Sequence, residues 1–132
     1  MSAALWIAFY ILLLSYQGSA QFLEQNCGEY KNIHIPFPWL VTVRNPTNST
    51  FICAGTLINE RFVLTASSCI KKGINLNVRL GENNINITYE EYGVKNAIVH
   101  RSPELNDIAL LKLKENVVYK SHIQPICINL NL

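Results

Sequence analysis

The sequence holds one aspartate, Asp107, and no charged side chain before Glu24. It contains no C-x-x-C, and no two of its 3 histidines stand four residues apart. Zinc sites are built from those two spacings, so no metal centre is expected. Excess charge of one sign is also missing: 11 Lys and Arg against 9 Asp and Glu leave +2, with no basic cluster. Nucleic-acid binders and proteins lying on membrane surfaces depend on clustered basic charge, so both classes are excluded. Long apolar runs are absent too. The longest, Ala3–Leu14, is twelve residues, short of the roughly 20 that a membrane-spanning helix needs.

That run lies in Met1–Ala20, which ends in Gly18-Ser19-Ala20, a small-x-small cleavage pattern. It reads as a secretory signal peptide cut before Gln21; nothing polybasic follows that would make it a membrane anchor. The product is expected to be extracellular, with no membrane contact after cleavage. Residues 21–132 suffice for one domain. All four cysteines, Cys27, Cys53, Cys69 and Cys127, lie there. An even number in a secreted chain predicts two disulfides, with three connectivities open. Asn48-Ser49-Thr50 and Asn86-Ile87-Thr88 are glycosylation sequons, whereas Asn45-Pro46-Thr47 is blocked by its proline.

From Trp39 onward short β-runs alternate with Asn, Gly and Lys: Trp39–Val43, Thr50–Ile58, Phe62–Thr65, Leu76–Leu80, Tyr92–Val99 and Ile108–Leu113. Leu76, Val78 and Leu80 share one face by period-2 alternation, and Leu111 and Leu113 flank Lys112 in the same way. Asn59-Glu60-Arg61 is a hairpin-type connection, and Asn83-Asn84 sits in a longer loop. Only Ser67–Lys72 offers a single helical turn. Six short strands in under a hundred residues predict an all-β fold, a small antiparallel barrel over 39–132. Residues 21–38 are polar, contain two prolines and read as an extended arm fastened through Cys27.

The segment running from Cys53-Ala-Gly-Thr-Leu-Ile through Phe-Val-Leu-Thr-Ala-Ser-Ser-Cys69 resembles the C-G-G-S-L-I…V-L-T-A-A-H-C segment of trypsin/chymotrypsin-like serine proteases. Asn106-Asp-Ile-Ala-Leu-Leu111 resembles their N-D-I-A-L-L segment. Val78-Arg-Leu-Gly81, Ile98-Val-His100 and Ile123-Gln-Pro-Ile-Cys127 follow in the family's order. The flavour is that of secreted arthropod members, and the likeness spans nearly all of residues 27–132.

The resemblance implies a single six-stranded antiparallel trypsin-like barrel, the first of the family's two, with the second expected to be absent. It makes Asp107 the match of the triad aspartate and puts Ser68 where the family has its histidine. Triad chemistry needs a hydroxyl nucleophile, an imidazole base, a carboxylate that holds the imidazole, and an oxyanion hole. No G-D-S-G-G is present, and none of the 6 glycines has a serine two residues on. Between Cys27 and Trp39 there is also no glycine pair like that of the family's activation cleavage site. Asp107 is thus expected to be vestigial, and Ser68, lacking a base, inactive. The resemblance further implies the pairings Cys53–Cys69 and Cys27–Cys127, the second fastening the arm as a propeptide cysteine does.

Other polar residues have plainer readings. His34 in the arm, His100 beside Arg101 and His122 in a loop are expected to be solvated. Glu82, Glu90 and Glu91 bracket a loop resembling the calcium loop of some family members; a solvated acidic loop is the preferred reading. Lys71-Lys72 and the Lys112/Lys114 pair read as solvated surface. The sequence therefore predicts a secreted, non-catalytic serine protease homologue, without cofactor, acting through an unidentified protein partner. The alternatives are a fragment of a trypsin-like endopeptidase and a remnant without function.

Overall fold

The computed structural model describes residues 2–16, 23–29, 36–82, 88–102 and 104–129. Six strands follow one helix: α1 (Ala3–Tyr16), β1 (Leu40–Arg44), β2 (Phe51–Leu57), β3 (Phe62–Thr65), β4 (Asn77–Leu80), β5 (Glu90–Val99) and β6 (Ala109–Leu113). Helix α1 is apolar around its whole circumference and leaves Trp6 and Leu12 exposed. No helix among the described residues is long and apolar enough to cross a membrane.

The strands close into an antiparallel barrel in the order β1-β2-β3-β6-β5-β4. Closure pairs both edges of every strand with a neighbour, which removes the edge problem of an open sheet. Period-2 alternation decides what faces inward. Val41 pairs Leu80 and Val43 pairs Val78 across β1 and β4; Val63 pairs Leu111 across β3 and β6. All six of these side chains are fully buried, as are Leu57, Leu113 and Ile123. Burying each such side chain contributes about 1.5–3 kcal/mol, so this barrel interior is the main source of stability. Gly55 on β2 is needed for closure: a Cβ there would stand 2.8 Å from Val63 Cγ1 and 3.0 Å from the Leu64 carbonyl oxygen.

Strand β5 starts two residues earlier than the β-run Tyr92–Val99, and this is a correction to the acidic loop expected around Glu90 and Glu91. Both glutamates lie on β5, Glu90 opposite Leu80 and Glu91 opposite Arg79. Glutamate is a poor strand former, but the partners on β4 and beyond offset that. Glu91 accepts from Asn77 Nδ2 at 2.9 Å and Arg79 Nε at 3.3 Å. Glu90 accepts the Tyr92 hydroxyl at 2.8 Å and forms an ion pair with Lys120.

Two disulfides pin irregular chain to the barrel. Cys53 on β2 is bonded to Cys69 just past β3, with Cα atoms 5.9 Å apart. Cys27 is bonded to Cys127, with Cα atoms 5.0 Å apart. Around that second bond Gly28 N–H donates to the Pro125 carbonyl at 2.8 Å, and the Tyr119 hydroxyl donates to Glu24 at 2.8 Å. The described part of the arm, 23–29 and 36–38, is therefore held by a covalent bond and by scattered hydrogen bonds instead of a strand ladder. The expected cleavage point before Gln21 and residues 30–35 lie outside the described residues.

Candidate active-site remnant

Strand β3 ends at Thr65, whose hydroxyl donates to the Ala54 carbonyl at 2.9 Å. The chain then makes one 3-10 turn, Ser67–Cys69, with Cys69 N–H and Ile70 N–H donating to the carbonyls of Ala66 and Ser67. So tight a turn, fixed by the Cys53–Cys69 bond, projects two consecutive serines toward the chain entering β6. Asp107 stands two residues ahead of β6, and its carboxylate meets both of them.

Asp107 Oδ1 accepts the Ser67 hydroxyl at 2.7 Å and the Ser68 backbone N–H at 2.7 Å. Oδ2 accepts the Ser68 hydroxyl at 2.9 Å. Ser67 is buried, whereas Ser68 and Asp107 are exposed. These donors, the Ser67 hydroxyl first and then the Ser68 amide and hydroxyl, hold the Asp107 carboxyl below the usual aspartate range. Chemically the arrangement is a carboxylate anchor. The Ser68 hydroxyl donates a hydrogen bond to an anion too weakly basic to remove its proton, so it gains no nucleophilic activation. Proton transfer of the triad kind needs an imidazole between hydroxyl and carboxylate. Sequence reasoning singled out Asp107 and Ser68 and missed Ser67. The adjacent pair Ser67-Ser68 on a possible single turn was the available signal.

The acidic residues near β4 are engaged as well. Glu82 accepts from Arg44 at 2.8 Å, Arg79 at 3.4 Å and the Thr42 hydroxyl. Although burial works against it, the Thr42 and Arg44 hydrogen bonds lower the Glu82 carboxyl below its ordinary value. Glu91 is lowered likewise, first by its bond from Asn77. The Arg79 guanidinium also lies 4.3 Å from the centroid of the Tyr89 ring. Arg44 and Arg79 thus supply the positive charge that faces Glu82, and Arg79 also faces Glu91; residues 83–87 between these glutamates lie outside the described residues. Among the described residues no group of three or more His, Cys, Asp or Glu is placed to hold a metal ion.

The three histidines differ. His34 lies outside the described residues. His100 is exposed just past β5 and accepts the Ser102 N–H on Nδ1 at 3.1 Å. His122 departs from the solvated reading: it is only 8 % exposed. Its ring packs against Gly81, where a Cβ would come within 2.8 Å of Cδ2. Desolvation, assisted by the Lys120 charge, lowers its pKa. Lys112 is half-buried, with Nζ 6.0 Å from the Phe62 ring centroid. Lys71, Lys72 and Lys114 are exposed. Of the two sequon asparagines, Asn48 is exposed on the β1–β2 hairpin and Asn86 lies outside the described residues.

Residues 27–131 match the family model named Trypsin. The chain belongs to the trypsin family. Among solved structures, this trypsin-family barrel is similar to mouse neuropsin, a serine protease expressed in the limbic system of the brain. That likeness has a TM-score of 0.59 at 28% identity, covering 73% of this chain and 45% of neuropsin. The chain is 40% identical to the inactive CLIP domain-containing serine protease A8 of Anopheles gambiae, over 70% of this chain and 30% of that protein. It is 34% identical to the CLIP domain-containing serine protease B9 of the same mosquito, over 71% of this chain and 30% of the relative. The inactive serine protease scarface of Drosophila melanogaster is 32% identical, over 70% of this chain and 16% of its own. The trypsin-family chain therefore spans under a third of the length of these curated relatives, and they include proteins named inactive as well as proteins named proteases.

Proposed function

We propose that this trypsin-family chain is a secreted, non-catalytic protease homologue that acts by binding a protein partner. The single observation that carries the reading is the engagement of Asp107: both carboxylate oxygens accept hydrogen bonds from Ser67 and Ser68, and the resemblance puts Ser68 where the family has its base. A hydroxyl at that position donates but cannot receive a proton and return it near neutral pH, which is the histidine's task. Relatives named inactive support the same reading. The apolar helix α1, the Gly18-Ser19-Ala20 pattern later in the sequence and the two disulfides support secretion.

The share of the relatives' length that is matched favours a second reading, in which these residues form part of a longer trypsin-like protein. The resemblance puts Ser68 at the base position in that case too, so hydrolysis is not expected from it either.

The test is reaction of the secreted protein with a serine-directed fluorophosphonate and with peptide and ester substrates. Neither labelling nor turnover above buffer is expected. Stoichiometric labelling of Ser68 overturns the non-catalytic reading.

A further inference from the structure

The β1–β2 hairpin carries two asparagines three residues apart, and the structure treats them differently. Asn45 closes the hairpin: its N–H donates to the Thr50 carbonyl at 3.0 Å, and its own carbonyl accepts the Ser49 N–H at 2.8 Å. It is half-buried, its side chain accepts the Thr47 N–H at 2.9 Å, and Pro46 follows it. Asn48 is exposed at the tip. Its Oδ1 accepts the Thr50 N–H at 3.1 Å and the Thr50 hydroxyl at 2.7 Å. Both contacts are made two residues along the chain, so the loop itself forms them without the rest of the fold.

We propose that Asn48 carries an N-linked glycan, and that the sugar stands at the end of the barrel that presents Ser68 and Asp107. Two donors on Oδ1 draw electron density toward that oxygen and ease removal of a proton from Nδ2. In the transfer, Nδ2 forms a bond to the anomeric carbon of a lipid-linked oligosaccharide diphosphate. The bond from that carbon to the diphosphate oxygen breaks, the lipid diphosphate leaves with the electron pair, and it takes up the proton that Nδ2 loses. Asn45 cannot do the same, because Pro46 stops its sequon.

The placement follows from a cleft lined by Asn45, Thr50, Phe51, Cys69, Lys71 and Ile74. It runs from the hairpin to the turn that holds Ser68, so the hairpin tip and the Asp107 cluster share one end. Phe51 and Ile74, 58% and 40% exposed, flank it. A glycan on Asn48 stands over that partly apolar rim.

The inference rests on the secretory reading above, since the lipid-linked donor is used in the secretory lumen. Its test is expression of the full chain, carrying Asn86→Gln, in secreting insect cells. Peptide N-glycosidase in heavy-oxygen water then marks each glycosylated asparagine by mass. Labelling is expected at position 48 in this protein and with Thr50→Ser, and not with Thr50→Ala. No label is expected at position 45. An unlabelled Asn48 in molecules that begin at Gln21 and contain the Cys27–Cys127 bond overturns the glycan alone. Molecules that keep Met1 and four reduced cysteines overturn both the glycan and the secretory reading.

Discussion

The Ser67 hydroxyl lies 2.7 Å from Asp107 Oδ1, and the Ser68 amide reaches the same oxygen at the same distance. One carboxylate oxygen therefore ties two of the three residues of a 3-10 turn to the chain entering β6. The Ser68 hydroxyl on Oδ2 completes the arrangement. The turn is fixed between Thr65 and the Cys53–Cys69 disulfide, so the two donors reach Asp107, 39 and 40 residues further along the chain, already oriented.

Asp107 is the only aspartate, which makes its titration readable. Its carboxyl is expected to titrate below the reference of about 3.9. Ser67→Ala, removing the first of the causes, is expected to move the midpoint upward. The folded-state pKa is depressed, so the stabilisation is present above the unfolded value and is lost as pH falls through the folded one. Carboxyl-carbon NMR of the protein checks both midpoints. An unchanged midpoint in Ser67→Ala means that the hydroxyl does not hold the carboxylate.

His122 predicts a second pH dependence at milder acidity. Its folded pKa is lowered, so the unfolded chain binds more protons between that value and the reference of about 6.5. Stability is expected to be full above that reference and to decline as pH falls below it. Urea midpoints between neutral pH and pH 5 measure the slope, which His122→Gln is expected to flatten. Gly81→Ala perturbs the same contact from the other side. Residue 81 has φ +78°, and the added Cβ would meet the ring at 2.8 Å. A positive φ in a non-glycine residue costs on the order of 1–2 kcal/mol before that clash. A wild-type midpoint in Gly81→Ala would show that the turn relaxes freely.

The strands were legible because a barrel strand repeats every two residues. Leu76, Val78 and Leu80 announce one buried face, and Leu111 and Leu113 another, and all five are buried. What was not legible depends on partners remote in sequence. Glu90 and Glu91 read as an acidic loop by charge pattern and become strand because Arg79, Asn77 and Lys120 stand opposite or nearby. His122 is buried by Gly81, and Glu82 is taken up by Arg44; neither pairing follows from local spacing. At the candidate site, Asp107 and Ser68 were visible through the resemblance. Ser67 was hidden because the direction of a hydroxyl on a tight turn depends on the turn's geometry, which has no period to read.

The disulfides are expected to stabilise unequally. The Cys53–Cys69 bond spans a sequence separation of 16 and the Cys27–Cys127 bond one of 100. In the chain-entropy model these loops correspond to about 3 and about 4.7 kcal/mol. The paired variants Cys53→Ala/Cys69→Ala and Cys27→Ala/Cys127→Ala are therefore both destabilised, the second more. Urea unfolding compares them, with non-reducing peptide mapping to verify the remaining bond. A smaller loss for the second pair would show that the arm stays ordered in its absence, through Tyr119–Glu24 and Gly28–Pro125 alone.

Ser68→His tests how much of a triad can be rebuilt. The substitution removes the donor to Oδ2 and leaves the two donors on Oδ1, the Ser67 hydroxyl and the residue 68 amide, in place. The freed oxygen is the one that an imidazole N–H at position 68 would meet. A carboxylate beside it favours the imidazolium, so the new histidine is expected to titrate above the reference of about 6.5. Because that folded pKa is raised, the added stability is full below the unfolded value and is lost as pH rises through the folded one. Asp107→Asn in the same background should return the midpoint toward the reference. No hydrolysis is expected, since an imidazole–carboxylate pair without a positioned nucleophile and oxyanion donors lacks the parts that act on substrate. Loss of a single oxyanion donor already lowers turnover about a hundred- to a thousand-fold. Histidine-detected NMR titration of the single and double variants reads the coupling directly. Identical midpoints with and without Asp107 would mean that position 68 does not face the carboxylate, and the anchor described for this turn would have to be abandoned.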